Sequence, residues 1–280
     1  MALPTRTLGK TGVQVSALGL GGEGILRTYG RFREAAQVIR KALEVGVTYF
    51  ESARAYADSE EYLGRSLGPD RKRVFLATKT HNRRARGARA HLDESLTLLR
   101  TDWVDLWMLH DLRTQADLDT IAGPGGALEV VDRAKQAGEV RFAGVSGHQD
   151  PDILRRALDL YPFDCVLLPV NPAEPFAGAF ADAVLPAARE RDLGVIAMKT
   201  LCRGLAARVP GFPGVAALLG YALSTPGVTV ASVGCDDPAQ VEENARAVAA
   251  YAPPSPDERD ALEQWVASHA KQLLYYRPQE

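Results

Sequence analysis

Four residues carry the chemistry in this chain: Glu51, Tyr56, Lys79 and His110. Each follows closely on a short apolar run. Glu51 ends Val47-Thr48-Tyr49-Phe50, and Tyr56 follows five residues later. Lys79 comes directly after Val74–Thr78, and His110 directly after Trp103–Leu109. Alone, each is weak evidence, because a lysine after a strand is usually a solvated end. Brought to one rim, they make a proton-transfer set. An ammonium beside a phenol favours the phenolate and lowers its pKa. A carboxylate keeps that ammonium charged and aimed, and an imidazole can donate to a carbonyl oxygen.

The elements that must bring them together are legible along the whole chain. Apolar runs at 17–20, 47–51, 74–78, 103–109, 141–146, 165–168, 194–198 and 229–233 read as eight strands. Helical patterns alternate with them at 33–45, 59–67, 86–100, 127–137, 152–160, 180–191, 214–224 and 238–249. Asp150-Pro151 and Asp237-Pro238 each pair an N-cap acceptor with proline at the first helical position. Ser255-Pro256-Asp257-Glu258 is a capping box that opens a last helix. Strict alternation predicts a parallel sheet with right-handed crossovers, and eight units fit a closed (β/α)8 TIM barrel. Arg6–Ser16 reads as an N-terminal β-hairpin turning at Lys10-Thr11-Gly12. No linker or low-complexity tract divides residues 1–280, which predicts a single domain. In such a barrel the strand C-termini form the active site, so the four residues converge.

Composition narrows the function classes. A hydrophobic share of 46% with 24% charged residues excludes wholesale disorder. A net charge of −2 carries no nucleic-acid footprint. Cys165, Cys202 and Cys235 form no disulfide framework, there is no N-terminal apolar h-region, and no run could span a bilayer. The expectation is a cytoplasmic enzyme with a small-molecule substrate and no metal. Gly19-Leu20-Gly21-Gly22-Glu23-Gly24 matches a dinucleotide fingerprint. However, the next helix starts near Arg33, and the next strand-ending acid is Glu51, too far along. The glycines therefore read as a flexible loop at the mouth of the first strand.

The ordered set of segments resembles the aldo-keto reductases, as a divergent branch. Leu8–Gly12 with Val15–Gly21 is similar to the family's opening. Tyr49-Phe50-Glu51-Ser52-Ala53-Arg54-Ala55-Tyr56, Leu76–Lys79 and Val104–His110 resemble its tyrosine, lysine and histidine segments. Gly144-Val145-Ser146, Gly194–Met198 and Val241-Glu242-Glu243-Asn244 resemble its cofactor segments. The resemblance implies hydride transfer between NAD(P)H and a carbonyl or alcohol substrate. Tyr56 would be the general acid, Lys79 would depress its pKa, Glu51 would pair with Lys79, and His110 would orient the carbonyl. Ser146, Met198, Lys199, Leu201, Gly234, Cys235, Gln240, Glu243 and Asn244 would contact the cofactor.

Several positions depart from the family. Glu51 replaces an aspartate, Gly147 an asparagine, Leu167 a glutamine, and Met198 an aromatic. Asp236 and Asp237 would repel the 2′-phosphate of NADP, whereas the family prefers NADP, so NADP and NAD both stay open. Arg83, Arg84, Arg86 and Arg89 read as a solvated helix face, or as recognition of an acidic substrate. Asp111–Gly126 reads as a long loop beside the pocket, and His148 as a strand-end residue facing it. The short tail, Leu273–Glu280, predicts an open pocket without a large C-terminal lid. Two other readings stay open: a non-redox lyase or isomerase on the same scaffold, and a cofactor-binding protein without turnover.

Overall fold

A computed structural model describes residues 2–277. Ten strands form: β1 (Thr5–Thr7), β2 (Gln14–Ser16), β3 (Leu18–Gly24), β4 (Tyr49–Glu51), β5 (Phe75–Thr80), β6 (Val104–Leu109), β7 (Val140–Ser146), β8 (Cys165–Pro169), β9 (Gly194–Met198) and β10 (Val228–Cys235). Strands β3 to β10 pair in chain order, all parallel, and β10 closes on β3. The helices are α1 (Phe32–Glu44), α2 (Ser59–Leu67), α3 (Ala85–Leu99), α4 (Gln115–Ala122), α5 (Leu128–Gln136), α6 (Pro151–Leu160), α7 (Phe180–Glu190), α8 (Val215–Ser224), α9 (Pro238–Ala249), α10 (Pro256–Val266) and α11 (Ala270–Leu273). The eight expected strands and eight alternating helices all appear. The caps form as read: Asp150 accepts from the amides of Asp152 and Ile153, Asp237 from Gln240, and Ser255 closes its box with Glu258.

Strands β1 and β2 form the antiparallel hairpin, turned by Gly12 at φ 69°. Leu8 and Val15 pack into the barrel interior, and the Lys10 amide donates to Asp192 beside the start of β9. The hairpin therefore plugs the N-terminal end and leaves the strand C-termini free.

Two expectations need correcting. The glycines at 19–24 lie inside β3 rather than in a loop at its mouth. Gly19 faces the Tyr49 ring, where a Cβ would come within 2.6 Å of it, so small residues are a packing requirement. The segment after His110 is not an open loop either. It carries α4, opened by a capping box between Thr114 and Asp117.

Candidate active site

Strand alternation builds the site in one step. Tyr49, Phe75, Ala77, Leu106, Met108, Cys165, Leu167, Ile196 and Val230 point inward and fill the barrel. Two residues further along the same faces come Glu51, Lys79, His110, Ser146, Met198 and Ser232. The catalytic candidates are thus the next layer above an apolar floor.

Lys79 is fully buried, and its ammonium donates to Glu51 Oε1 at 2.7 Å and to the Ser52 carbonyl at 2.8 Å. Tyr56 is held in the loop after β4 by its amide on Ala53 O and its carbonyl under Ser59 N. Gly22 makes room for it, since a Cβ there would come within 2.9 Å of the Tyr56 ring. The ring has the Lys79 ammonium 4.8 Å from its centroid and the Arg27 guanidinium 4.9 Å from it. His110 meets the ring edge-on at 5.5 Å. Glu51, Tyr56, Lys79 and His110 therefore come together as the strand ends predicted.

The electrostatics differ from the simple expectation. Burial first, and then the Glu51 and Glu23 charges, push the Tyr56 phenol well above its usual pKa, with Arg27 opposing. Lys79 stands over the ring face and is already paired with Glu51, so a lowered phenol pKa is not what this arrangement produces. Tyr56 keeps its proton. Burial, reinforced by the Lys79 charge, holds His110 well below its usual pKa, so its imidazole is neutral. One Glu51 carboxylate oxygen meets Lys79, while Oε2 is buried without a hydrogen bond. Tyr49, on the same strand face, feels that charge. Burial and then Glu51 raise its phenol far above normal, and its Oη also has no partner of normal geometry.

The cofactor candidates lie along the β9–β10 side. Met198, Lys199 and Leu201 are half-buried at the end of β9. Gly234 is exposed and Cys235 buried at the end of β10. On α9, Glu243 is exposed, Gln240 accepts from the Asp236 amide, and buried Asn244 donates to Cys235 Sγ at 3.4 Å. Ser146 is buried at the end of β7, where its hydroxyl accepts from the Asp111 amide at 2.9 Å and donates to Leu109 O.

A nicotinamide dinucleotide fits part of this surface. The hydroxyls of Thr200 and Ser232 are buried without hydrogen-bond partners among the described residues. Gly234 packs against the Glu23 backbone, and Glu23 holds the Arg203 guanidinium at 2.7 Å. The two hydroxyls are groups that phosphate oxygens would satisfy. The carboxamide end is poorer in polar groups. The Ser146 hydroxyl is engaged by backbone, Gly147 has no side chain, and Leu167 belongs to the apolar floor.

Several site residues were not singled out from the sequence. Glu23 bridges Arg27 at 2.8 Å and Arg203 at 2.7 Å, tying the end of β3 to the loop after β9. Ala57, Asp111, Lys199, Cys202 and Arg203 all adopt positive φ next to the strand ends. Such strained positions concentrate at functional rims. The arginine cluster does not face the pocket as a group. Arg83 binds Asp117 and the carbonyls of His110 and Asp111, and Arg89 binds Asp93 and Glu139. Arg83 therefore fixes the loop that carries His110. His148 does face the pocket, 3.2 Å from Asp111 Oδ1, and burial with neighbouring cations keeps it neutral.

The short tail packs against the barrel; its last three residues, 278–280, lie outside the described part. Tyr276 and Arg277 are buried against the mouth. Tyr276 Oη donates to Glu174 Oε1 at 2.5 Å and accepts from Asn171, and Arg277 binds Glu174 Oε2 and Gly178 O. The Tyr276 ring stands edge-on to His148 at 5.9 Å. The only sequence signal was an aromatic pair followed by arginine after an amphipathic helix.

Comparison with known proteins agrees with this geometry. L-galactose dehydrogenase of Arabidopsis thaliana is 30% identical over 220 residues, 71% of this chain and 66% of that protein. An NADP(+) aldo-keto reductase of Schizosaccharomyces pombe is 28% identical over 222 residues, 73% of this chain and 63% of that protein. The matched segments thus span somewhat under two thirds of these relatives' length. The holo form of an aldo-keto reductase from Bacillus halodurans shares the fold, with a TM-score of 0.77, 22% identity, and coverage of 94% of this chain and 96% of that one. The Aldo/keto reductase family model matches residues 17–215, a stretch that runs from β3 through the strand-end set to the start of α8, and the chain belongs to that family.

Proposed function

We propose that the protein reduces an aldehyde, ketone or sugar carbonyl with NAD(P)H, or oxidises the corresponding alcohol. The observation that carries this reading is a buried phenol with the Lys79 ammonium over its ring, an imidazole at its edge and a fixed Lys79–Glu51 pair. When bound, the nicotinamide supplies the hydride. Tyr56 gives its proton to the carbonyl oxygen as negative charge develops there, a contribution of roughly 10²–10⁴-fold. A neutral His110 donates one N–H to the same oxygen and orients it. Arg83 holds the His110 backbone, and Glu51 holds Lys79 charged under the Tyr56 ring. Thr200, Ser232, Arg203 and the end of β10 would hold the phosphates, and Gln240, Glu243 and Asn244 the adenosine. The name of the Schizosaccharomyces pombe relative prints NADP(+), which supports that cofactor, while Asp236 and Asp237 favour NAD.

The test follows nicotinamide absorbance with 4-nitrobenzaldehyde under NADPH and NADH. The Tyr56→Phe variant should lose most turnover and retain cofactor affinity, measured by fluorescence titration. Equal turnover in the variant would remove Tyr56 as the acid. A second reading, proton transfer without hydride transfer, draws support from the poor carboxamide contacts at Gly147 and Leu167. It predicts solvent-hydrogen exchange into a ketone with no cofactor oxidation.

A further inference from the structure

Cations surround the barrel mouth, and those beside the strand-end set have carboxylate partners. Arg27 and Arg203 share Glu23, Lys79 has Glu51, Arg83 has Asp117, Arg113 has Asp111, and Arg277 has Glu174. Lys199 has none among the described residues. Its ammonium lies 3.5 Å from the sulfur of Met198, whose side chain packs on the barrel interior, so the charge sits over the mouth. On its other side is the Tyr276 ring, 5.1 Å from centroid to ammonium. Tyr276 in turn meets His148.

Asn171 builds this corner. Its side-chain amide donates both to the Lys199 carbonyl, at a residue held at φ 55°, and to Tyr276 Oη. One buried amide thus fixes the strand end that carries the ammonium and the aromatic wall that faces it. The rim carboxylates Glu23, Glu51, Asp111 and Glu174 each pair with another cation. Burial lowers the Lys199 pKa, with the Glu23 and Asp111 charges opposing. The ammonium lies between Met198 at the end of β9 and the Tyr276 ring, whose edge meets His148.

We infer that Lys199, walled by Tyr276 and flanked by His148, is an anion-recognition corner for the substrate, and that the preferred carbonyl substrates carry a carboxylate or phosphate. This rests on the carbonyl-reductase reading and deepens it. An anion there gains a charge-assisted contact in a partly dry recess. Lys199 is a specificity residue, outside the proton path.

The same anionic chemistry is present in the cofactor's pyrophosphate, and the test separates the two sources. We would compare 4-formylbenzoate, 4-formylphenyl phosphate and methyl 4-formylbenzoate, which present the same aldehyde with and without charge. In Lys199→Met, the ratio of kcat/KM for the charged aldehydes to that for the ester should fall roughly 10- to 100-fold. Lys199→Arg should restore most of that ratio. Benzoate binding to the protein, by calorimetry at low salt, should weaken in Lys199→Met as well. An unchanged ratio, with NADPH affinity lost instead, would assign the ammonium to the cofactor and overturn the inference. Wild-type protein that binds benzoate through Lys199 but reduces none of the three aldehydes would keep the corner and refute the reductase reading.

Discussion

Replacing Glu51 by Gln keeps the side-chain volume and removes the charge that Lys79 faces. The ammonium is fully buried, its carboxylate partner is 6% exposed, and they meet at 2.7 Å. Only neutral acceptors, the Gln amide oxygen and the Ser52 carbonyl, would remain. Breaking a buried pair in this way costs about 3–5 kcal/mol, because the surviving charge is left uncompensated. At about 2 °C per kcal/mol for a chain of this size, the thermal midpoint should fall by roughly 6–10 °C. A second effect has a definite sign. The Glu51 charge is among the causes that hold the Tyr56 phenol up. Without it the phenol loses its proton more readily, and carbonyl reduction needs that proton. The alkaline limb of the pH–rate profile should therefore move to lower pH. Glu51→Asp keeps the charge on a shorter reach, so it should fall between wild type and Gln in both readouts. The assays are a melting curve and a kcat/KM profile for each variant. A Gln variant with an unchanged midpoint and an unchanged alkaline limb would mean that the pair neither stabilises the barrel nor acts on Tyr56.

Three further outcomes follow from the same geometry. Asp236→Ala removes an exposed charge from the end of β10, and should improve NADP binding over NAD binding by about 2- to 5-fold at low salt; equal effects would place Asp236 away from the ribose phosphate. His110 and His148 are held neutral by burial, with folded pKa values below the unfolded value of about 6.5. Below that pH the unfolded chain binds protons that the native one does not, so stability falls with pH, by up to about 1.4 kcal/mol per unit for each histidine. His148→Gln should make that slope shallower, measured as denaturation midpoint against pH. Glu174→Gln removes the carboxylate that Tyr276 and Arg277 share and should loosen the tail, with a loss of about 3 kcal/mol and faster chymotryptic cleavage after Tyr276. An unchanged cleavage rate would show that Tyr276 and the Gly178 carbonyl hold the tail without Glu174.

What the sequence by itself determined was the part written in short periods. A strand alternates its faces every two residues, and so inward-facing Tyr49, Ala77 and Met108 dictate inward-facing Glu51, Lys79 and His110 once the barrel is inferred. Helix caps such as Asp237 and Ser255 are equally local, because acceptor and amide lie within one turn. The tertiary structure alone decided contacts with no local signature. Tyr276 finds Glu174 from 102 residues away, and Arg83 finds the His110 carbonyl across the β5–α3–β6 crossover. It also decided the Tyr56 pKa, which depends on how deeply the ring is buried and on which carboxylate Lys79 already serves. The Lys199 corner belongs to the same class. Its meaning lies in the absence of a carboxylate partner, and partners are assigned only when the whole rim is assembled.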